Sequence, residues 1–287
     1  MNETNTTIVR DVVCGMDLTG LPDLMTGEWN GTNVSFCGEG CRQRFFENPS
    51  KFQGEPLIKL RAVEKVFHLG LVEVPVLRGL DINIWEGDFV SIIGASGSGK
   101  STVLNLIGLL DRPTRGTIFY KGSDVAIFSD EERAEFRSKT FGFVFQQYNL
   151  IPWLTAYENA TLPLIFANRA SLVEKLENMS IRLGLKERLT HRPFELSGGE
   201  QQRTALLRAL ANDPAVILGD EPTGNLDSET GKNILNILIE LNRNEKKTLI
   251  IVTHDASIAE MADEIITVKD GRMLRDHHLH RKIYTGA

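Results

Sequence analysis

Residues 94–101 constrain the fold of this chain more than any other segment. They read Gly-Ala-Ser-Gly-Ser-Gly-Lys-Ser and match the pattern G-x-x-x-x-G-K-[S/T] at every fixed position. An apolar run ends at Ile93 just before them, and a helical pattern follows over residues 101–110. A strand, a glycine-rich loop and a helix in this order typically surround the phosphates of a nucleotide with backbone N–H groups.

The residue types of this loop predict separate roles at a phosphate site. The glycines let the backbone wrap the β- and γ-phosphates, and the following helix adds its positive N-terminal end. We expect Lys100 to neutralise the terminal phosphates and the Ser101 hydroxyl to take a Mg²⁺ position. A plain glycine-rich turn with a surface lysine is the alternative, and the flanking strand and helix argue against it. The candidate nucleotide-binding residues here are Gly94, Ala95, Ser96, Gly97, Ser98, Gly99, Lys100, Ser101 and Thr102.

Two adjacent carboxylates follow another apolar run, residues 215–218. Side chains of neighbouring residues at a strand end point to opposite sides, so the two acids can serve different purposes. Asp220 is predicted to anchor Mg²⁺. Glu221 is predicted to be the general base that polarises the attacking water.

A second helix start with phosphate-binding potential lies at residues 196–200, Leu-Ser-Gly-Gly-Glu. Ser197 and Glu200 have the spacing of a capping box, which leaves the N–H groups of Gly198 and Gly199 exposed. A well-capped amphipathic helix without further function is the alternative. Two such helix ends cannot easily reach one γ-phosphate from a single domain, so the sequence predicts that two copies share each nucleotide.

The overall pattern predicts an α/β fold. Short apolar runs at residues 89–93, 215–218 and 249–252 are typical of strands buried on both faces of a mostly parallel sheet. The net charge of −6 argues against a sequence-independent grip on nucleic acid. No membrane-spanning run and no leader peptide is recognised in the sequence, and three cysteines are too few for a disulfide framework. These features predict a cytosolic setting.

Over residues 57–275 the chain resembles the nucleotide-binding subunit of an ATP-binding-cassette (ABC) transporter. Besides the three segments above, Gln146 resembles the family's glutamine loop, which touches Mg²⁺ and the membrane partner. Asp227 resembles the D-loop, and His254 resembles the switch histidine that contacts the γ-phosphate. Phe67 stands where the family usually has a tyrosine stacked on adenine, and the stacking face is kept.

The resemblance implies a P-loop ABC ATPase domain with a RecA-like core and a helical subdomain, using ATP and Mg²⁺. It implies a head-to-tail homodimer with each ATP between Lys100 of one copy and Ser197 and Gly199 of the other. It also implies an integral-membrane permease as partner, and hence a peripheral place at the cytoplasmic face of the bacterial inner membrane. The implied Mg²⁺ positions are Ser101, Gln146 and Asp220.

Residues 141–159, 161–164 and 220–227 are similar to the lipoprotein-release and macrolide-export class of the family. This class resemblance implies export or extraction, and the cell-division ABC ATPase remains an alternative. Trp153, Leu154 and Tyr157 are candidates for an apolar surface that receives a permease helix. Ordinary core packing of these three side chains is the competing interpretation.

Residues 1–54 form a different pattern, which a turn-rich segment at 48–56 separates from the ATPase region; residues 276–287 are a polar tail. Cys14, Cys37 and Cys41 all lie in this first part. The segment resembles a YHS (TRASH-like) module, a small treble-clef-like fold that occurs beside heavy-metal transporters and metal sensors.

The cysteine spacing predicts a metal site in this module. Cys37 and Cys41 can face one way from a helical turn, Cys14 can return across a hairpin, and thiolates suit Zn²⁺ or Cu⁺. Packing of three reduced cysteines as small hydrophobic residues is the alternative. The fourth ligand is open: Met16 is a candidate that would favour copper. Three histidines near the carboxyl end are further candidates: His277, His278 and His280.

These features favour an ATPase subunit that powers a membrane exporter or extractor and carries a metal-binding module. A soluble ABC-type ATPase acting on nucleic acid or ribosomes is an alternative, but the chain has neither a second cassette nor long coiled-coil arms. A metal-responsive regulatory ATPase, not coupled to transport, is another. Retention of Lys100, Asp220, Glu221 and His254 argues against a cassette that has lost hydrolysis.

Overall fold

The computed structural model describes residues 8–21 and 24–274, which form two compact units. The first unit comprises the described residues up to Glu86, Val90–Ile127 and those from His254 onward; the second comprises Gly87–Phe89 and Phe128–Thr253. In both units helices cover sheets, so the α/β fold is confirmed.

The secondary structure elements alternate along most of the chain. The strands are β1 (Met25–Trp29), β2 (Thr32–Phe36), β3 (Ile58–Leu69), β4 (Val72–Ile84), β5 (Phe89–Ile93), β6 (Arg115–Tyr120), β7 (Ser123–Asp124), β8 (Phe141–Phe145), β9 (Val216–Asp220), β10 (Thr248–Val252), β11 (Glu264–Lys269) and β12 (Arg272–Met273). The helices are α1 (Glu39–Glu47), α2 (Lys100–Ile107), α3 (Asp130–Thr140), α4 (Ala156–Phe166), α5 (Val173–Arg182), α6 (Gly198–Leu210), α7 (Ser228–Glu245) and α8 (Ala256–Ala259). None of the described helices is long and apolar enough to cross a membrane.

The first unit combines an antiparallel sheet with a parallel strand pair. Strand β3 lies between β4 and β6 in the antiparallel sheet, where Ile58 faces both Ile84 and Tyr120. Strand β11 runs parallel to β5, with Thr267 opposite Ile93, and β12 lies antiparallel to β11. Residues of β5 are almost wholly buried, which explains why its sequence is apolar without alternation.

The second unit is built on three parallel strands in the order β10-β9-β8. Leu218 of β9 lies opposite Ile250 of β10 and Phe143 of β8. The three apolar runs predicted as buried strands are therefore confirmed as β5, β9 and β10. Because parallel strands end at one edge of a sheet, the residues that follow β8, β9 and β10 leave that edge together.

The amino-terminal segment packs around its own apolar cluster. A hairpin of β1 and β2, the helix α1 and the turn at residues 11–16 enclose the three cysteines. Trp85 completes this cluster from beyond residue 54, and Met273 packs against it. A segment of about 45 residues rarely forms a sufficient apolar core alone, and Trp85 enlarges this one. The boundary at residue 54 stays a prediction.

Several polar contacts join this segment to other parts of the same unit. Backbone N–H of Asn83 donates to the carbonyl of Cys14 (2.7 Å), and the Trp85 indole N–H donates to the carbonyl of Val13 (2.7 Å). Arg44 of α1 forms a buried ion pair with Glu264, the first residue of β11. Sequence reasoning gave Arg44 no role, because its partner is 220 positions away.

Candidate functional site

The glycine-rich loop has the predicted strand–loop–helix setting. Strand β5 ends at Ile93, and α2 begins at Lys100. Gly94 has φ of +154°, and a Cβ atom there would lie 2.2 Å from the carbonyl oxygen of Val268. Gly99 has φ of +106°, and its Cβ would lie 2.7 Å from the Leu77 side chain. Backbone conformation therefore favours glycine at both ends of the loop, and at Gly94 the lack of space excludes a side chain as well.

Lys100 lies along the inside of this loop. Its ammonium group donates to the carbonyl oxygens of Gly94 and Ala95, each at 2.9 Å. These contacts hold a positive charge beside the backbone N–H groups that open α2, where a phosphate would be attracted. Ser101 is exposed in the first turn of α2, a position from which its hydroxyl can reach a cation.

The carboxylate pair lies where β9 ends. Asp220 is the last residue of the strand, and Glu221 takes a left-handed backbone conformation with φ of +47°. Glu221 N–H donates to the carbonyl of Val252 (2.9 Å), and the Thr253 hydroxyl donates to a Glu221 carboxylate oxygen (3.4 Å). An unfavourable conformation in a non-glycine residue must be held by its surroundings, and such residues cluster at functional sites. His254, which follows, is exposed.

Gln146 and the segment before α7 are held together in the second unit. The Gln146 amide donates to Asn225 Oδ1 (3.1 Å), and the Asn225 amide donates to the Gln146 carbonyl (2.9 Å). Asp227 caps α7 by accepting from Glu229 N–H (3.1 Å) and Thr230 N–H (3.0 Å). The Thr230 N–H bond lowers the pKa of Asp227. Sequence analysis missed Asn225, although it directly precedes the D-loop pair Leu-Asp.

The predicted capping box at the start of α6 is confirmed. Ser197 N–H donates to the Glu200 carboxylate (2.8 Å), and Glu200 N–H donates to the Ser197 hydroxyl (3.3 Å). The bond from Ser197 N–H and the Arg188 guanidinium at 2.7 Å lower the pKa of Glu200 to about 2. A Cβ at Gly199 would lie 2.5 Å from the Thr230 methyl group, so the space at this position favours glycine. Backbone N–H groups without intrahelical partners at a helix start are the donors that an anion needs.

Phe67 lies near the end of β3 and is 39% exposed. The Lys65 ammonium stands 4.9 Å from its ring centroid. The partly exposed ring fits the stacking role that the resemblance implies, and it forms a cation–π contact with Lys65.

The three cysteines come together as their spacing predicts. The Cys14 and Cys37 sulfurs are 3.7 Å apart, the Cys37 and Cys41 sulfurs are 3.6 Å apart, and all three thiols are buried and free of disulfides. Asp11 joins them, so that one potential ligand atom from each of the four residues lies within 4.8 Å of the others. Burial and the neighbouring Cys37 raise the pKa of Asp11 to about 7.

The candidates for a fourth ligand differ in their position relative to the three thiols. Sequence analysis missed Asp11, although its place three residues before Cys14 was visible in Asp-Val-Val-Cys. Met16 is buried in the surrounding apolar cluster. The three carboxyl-terminal histidines lie outside the described residues.

An apolar groove of about 880 Å³ lies in the second unit between α3, β8, α4 and α6. Of the three side chains predicted to form an apolar surface, Trp153 is 72% exposed, whereas Leu154 and Tyr157 are half-buried. None of the three lines the groove. Its apolar lining comes instead from Phe143, Phe145, Leu162, Pro163 and Phe166.

Comparisons with known proteins agree with this geometry. The family model for ABC transporters matches residues 77–224. The chain is 46% identical over 230 residues to the uncharacterized ABC transporter ATP-binding protein MJ0796 of Methanocaldococcus jannaschii, a match that covers 78% of this chain and 97% of that protein. A dimeric post-hydrolysis structure of the MJ0796 ATP-binding cassette with ADP and Pi has a TM-score of 0.71 at 44% identity, covering 78% of this chain and 99% of that one.

Longer proteins also match. The macrolide export ATP-binding/permease protein MacB of Wolinella succinogenes is 47% identical over 222 residues, which is 76% of this chain and 34% of that protein. The chain thus spans about a third of the length of MacB relatives. With the family model and the full-length relative in agreement, the chain belongs to the ABC transporter family. It is an ABC-type ATPase cassette.

Proposed function

We propose that this cassette powers a membrane transporter of the export or extraction type, as a head-to-tail homodimer bound to an integral-membrane permease. The occurrence of three features in one chain carries the proposal: a glycine-rich phosphate loop, Glu221 in a left-handed backbone conformation after β9, and a helix start capped by Ser197. The dimeric cassette structure and the name of MacB, which joins ATP-binding and permease parts, support the assembly.

The residues fit ATP and Mg²⁺ by the chemistry of their donors. A loop closed to any Cβ at Gly94, with the Lys100 ammonium inside it, suits the β- and γ-phosphates. Hydroxyl, amide and carboxylate oxygens are ligands that Mg²⁺ accepts, and the ion neutralises charge on the transferred phosphoryl group. The residues proposed to hold it are Ser101, Gln146 and Asp220.

Glu221 is the proposed general base. The Thr253 hydroxyl and the Val252 carbonyl fix its carboxylate and its backbone, so the carboxylate can accept a proton from a water aligned on the γ-phosphate. His254 is proposed to donate a hydrogen bond to the γ-phosphate, and Asp227 to hold the start of α7 beside the partner copy. Closure on two ATP molecules and reopening after hydrolysis would drive the permease.

The apolar groove is the proposed docking place for a permease helix, because an amphipathic helix buries its apolar face in such a channel. Phe166 lines this groove and is 80% exposed. We expect Phe166→Glu to release the chain from the membrane fraction of expressing cells that contain the permease, while the purified variant keeps its ATPase rate. Ile181→Glu, on an exposed site of α5 outside the groove, is the matched control.

Either of two outcomes would contradict this docking place. Phe166→Glu could remain at the membrane as the wild type does, or Ile181→Glu could be released equally. Absence of the wild-type chain from membranes would instead favour the regulatory ATPase without a transporter.

We also propose that the amino-terminal segment binds a soft or borderline metal ion, Zn²⁺ or Cu⁺, through Cys14, Cys37 and Cys41. Three buried thiols within reach of one ion support this. Elemental analysis of the purified chain should find about one metal ion per chain, lost when all three cysteines are replaced by serine. Equal metal content in both proteins would contradict the site.

A further inference from the structure

We propose that Asp11 is the fourth ligand of this site, which makes it a three-thiolate, one-carboxylate centre selective for a divalent ion of the Zn²⁺ type over Cu⁺. This rests on the proposed metal binding by the three cysteines and names the ion class for it. The juxtaposition of a buried carboxylate and three buried thiols within 4.8 Å is the observation that points to it.

The charge of the buried Asp11 carboxylate favours a divalent ion. Asp11 is 1% exposed, and among the described residues no lysine or arginine forms an ion pair with it. Buried carboxylates are normally paired with a cation or coordinate a metal. The three thiols around it carry no positive charge that could compensate it. A divalent ion would neutralise more of this cluster than a monovalent one.

The Asp11 carboxylate accepts three backbone hydrogen bonds, which leaves part of its acceptor capacity unused. Oδ1 accepts from Val13 N–H (2.7 Å) and Cys14 N–H (3.0 Å), and Oδ2 accepts from Cys37 N–H (2.6 Å). A carboxylate has about four acceptor positions, so about one remains. One carboxylate oxygen of Asp11 and the three cysteine sulfurs lie within 4.8 Å of one another, so an ion held by the thiolates would be within reach of that oxygen.

The spacing of the cysteine sulfurs fits a tetrahedral metal ion. A tetrahedral ion with metal–sulfur bonds of about 2.3 Å holds its sulfurs about 3.8 Å apart. The observed separations of 3.7 Å for Cys14–Cys37 and 3.6 Å for Cys37–Cys41 are close to that edge. A carboxylate oxygen at the fourth corner suits Zn²⁺, whereas Cu⁺ is selected by soft sulfur ligands.

The turn that carries Asp11 and Cys14 is already held in shape. Asp11 N–H donates to the Met16 carbonyl (3.0 Å), and Gly15 N–H donates to the Asp11 carbonyl (2.9 Å). The bonds from Asn83 and Trp85 fix the same turn from outside. Preorganised ligands on a supported turn lower the ordering cost of binding an ion. The support of this turn favours a preorganised metal site over a chance grouping of these four side chains.

The test compares metal selectivity in the full-length chain, stripped by chelation under reducing conditions. Zn²⁺ and Cu⁺ affinities are measured by competition for wild type, Asp11→Asn and the control Asp17→Asn, whose side chain is exposed in the same segment. We expect Asp11→Asn to lose at least about 10-fold in Zn²⁺ affinity with Cu⁺ affinity nearly unchanged, and Asp17→Asn to change neither. Met16→Leu should also leave both affinities unchanged.

Parallel losses of both affinities in Asp11→Asn would overturn the proposal, because a carboxylate that only orients the turn would weaken both ions alike. Unchanged Zn²⁺ affinity in Asp11→Asn would also overturn it, and so would a loss of Zn²⁺ affinity in Met16→Leu. X-ray absorption of the Zn²⁺-loaded wild type covers the case in which Asp11→Asn does not fold. We expect about three sulfurs and one oxygen around the ion; four sulfurs or no oxygen would contradict the site.

The same experiment distinguishes a failure of metal binding from a failure of Asp11 as the fourth ligand. If the wild type binds neither ion, the proposed metal function of the segment fails and the assignment of Asp11 fails with it. If the wild type binds an ion that the triple cysteine-to-serine variant does not, the metal function stands, and selectivity alone decides on Asp11. The ATPase rate of the triple variant reports whether the cassette is still folded.

Discussion

Glu221→Gln is expected to abolish steady-state ATP turnover while leaving ATP binding intact. The amide keeps the size of the side chain and can still meet the Thr253 hydroxyl, but it cannot take a proton from water. Loss of a positioned general base costs about 10²–10⁴-fold in rate. Because ATP is then bound without being consumed, the ATP-joined dimer should accumulate. Size-exclusion chromatography with light scattering, with and without Mg²⁺–ATP, measures this directly.

Glu177→Gln is the matched control for this prediction. Glu177 is an exposed glutamate on α5 in the same unit, so the substitution makes the same chemical change away from the strand end. It should hydrolyse ATP at the wild-type rate and show no trapped dimer. A Glu221→Gln protein with more than about a tenth of wild-type activity would contradict the assignment of the base. A Glu221→Gln protein that stays monomeric with ATP would contradict the shared site.

Lys100→Ala is expected to weaken ATP binding and to stop hydrolysis. The ammonium group lies inside the loop, bonded to the Gly94 and Ala95 carbonyls, where it can meet the terminal phosphates. A hydrogen bond to a charged group is worth about 1.5–3 kcal/mol, so ATP affinity should fall about 10- to 100-fold. AMP, which lacks those phosphates, should bind both proteins alike. Nucleotide titration by calorimetry measures the two affinities.

Lys232→Ala serves as the control for loss of one positive charge. Lys232 is exposed on α7 and belongs to none of the segments assigned to the nucleotide. Its replacement should leave ATP affinity unchanged. Equal ATP affinities for Lys100→Ala and the wild type would refute the phosphate-loop assignment. Equal weakening of AMP and ATP would mean that the substitution damaged the fold instead.

Contiguous motifs were predictable because their chemistry is local. The phosphate loop depends on glycines at fixed positions, and the Ser197–Glu200 capping box depends on a spacing of three residues within one helical turn. Each motif involves only a few neighbouring residues, so each is recognisable in the sequence. The buried strands were found for a similar reason, since covered parallel strands lose their polar face.

Features made by distant residues were not predictable. Trp85 enters the cysteine-containing cluster from the end of a strand that belongs to the cassette, and Arg44 meets Glu264 across 220 positions. Asp11 was overlooked because an isolated aspartate near a cysteine is common, and only its burial among three thiols makes it notable. The groove lining was missed because Phe166 ends a helix whose two faces do not differ in polarity in the sequence.

If each ATP site uses residues of two copies, mixing two inactive variants tests this sharing most directly. Lys100→Ala lacks the loop charge. Ser197→Asp keeps a good helix cap and sets a negative charge where the partner's phosphate would lie. Each variant alone should be inactive.

An equimolar mixture of the two variants should recover up to about a quarter of the wild-type ATPase rate, because half of randomly paired dimers carry one intact site of two. A mixture as inactive as its components, although both variants still pair, would contradict the shared head-to-tail site.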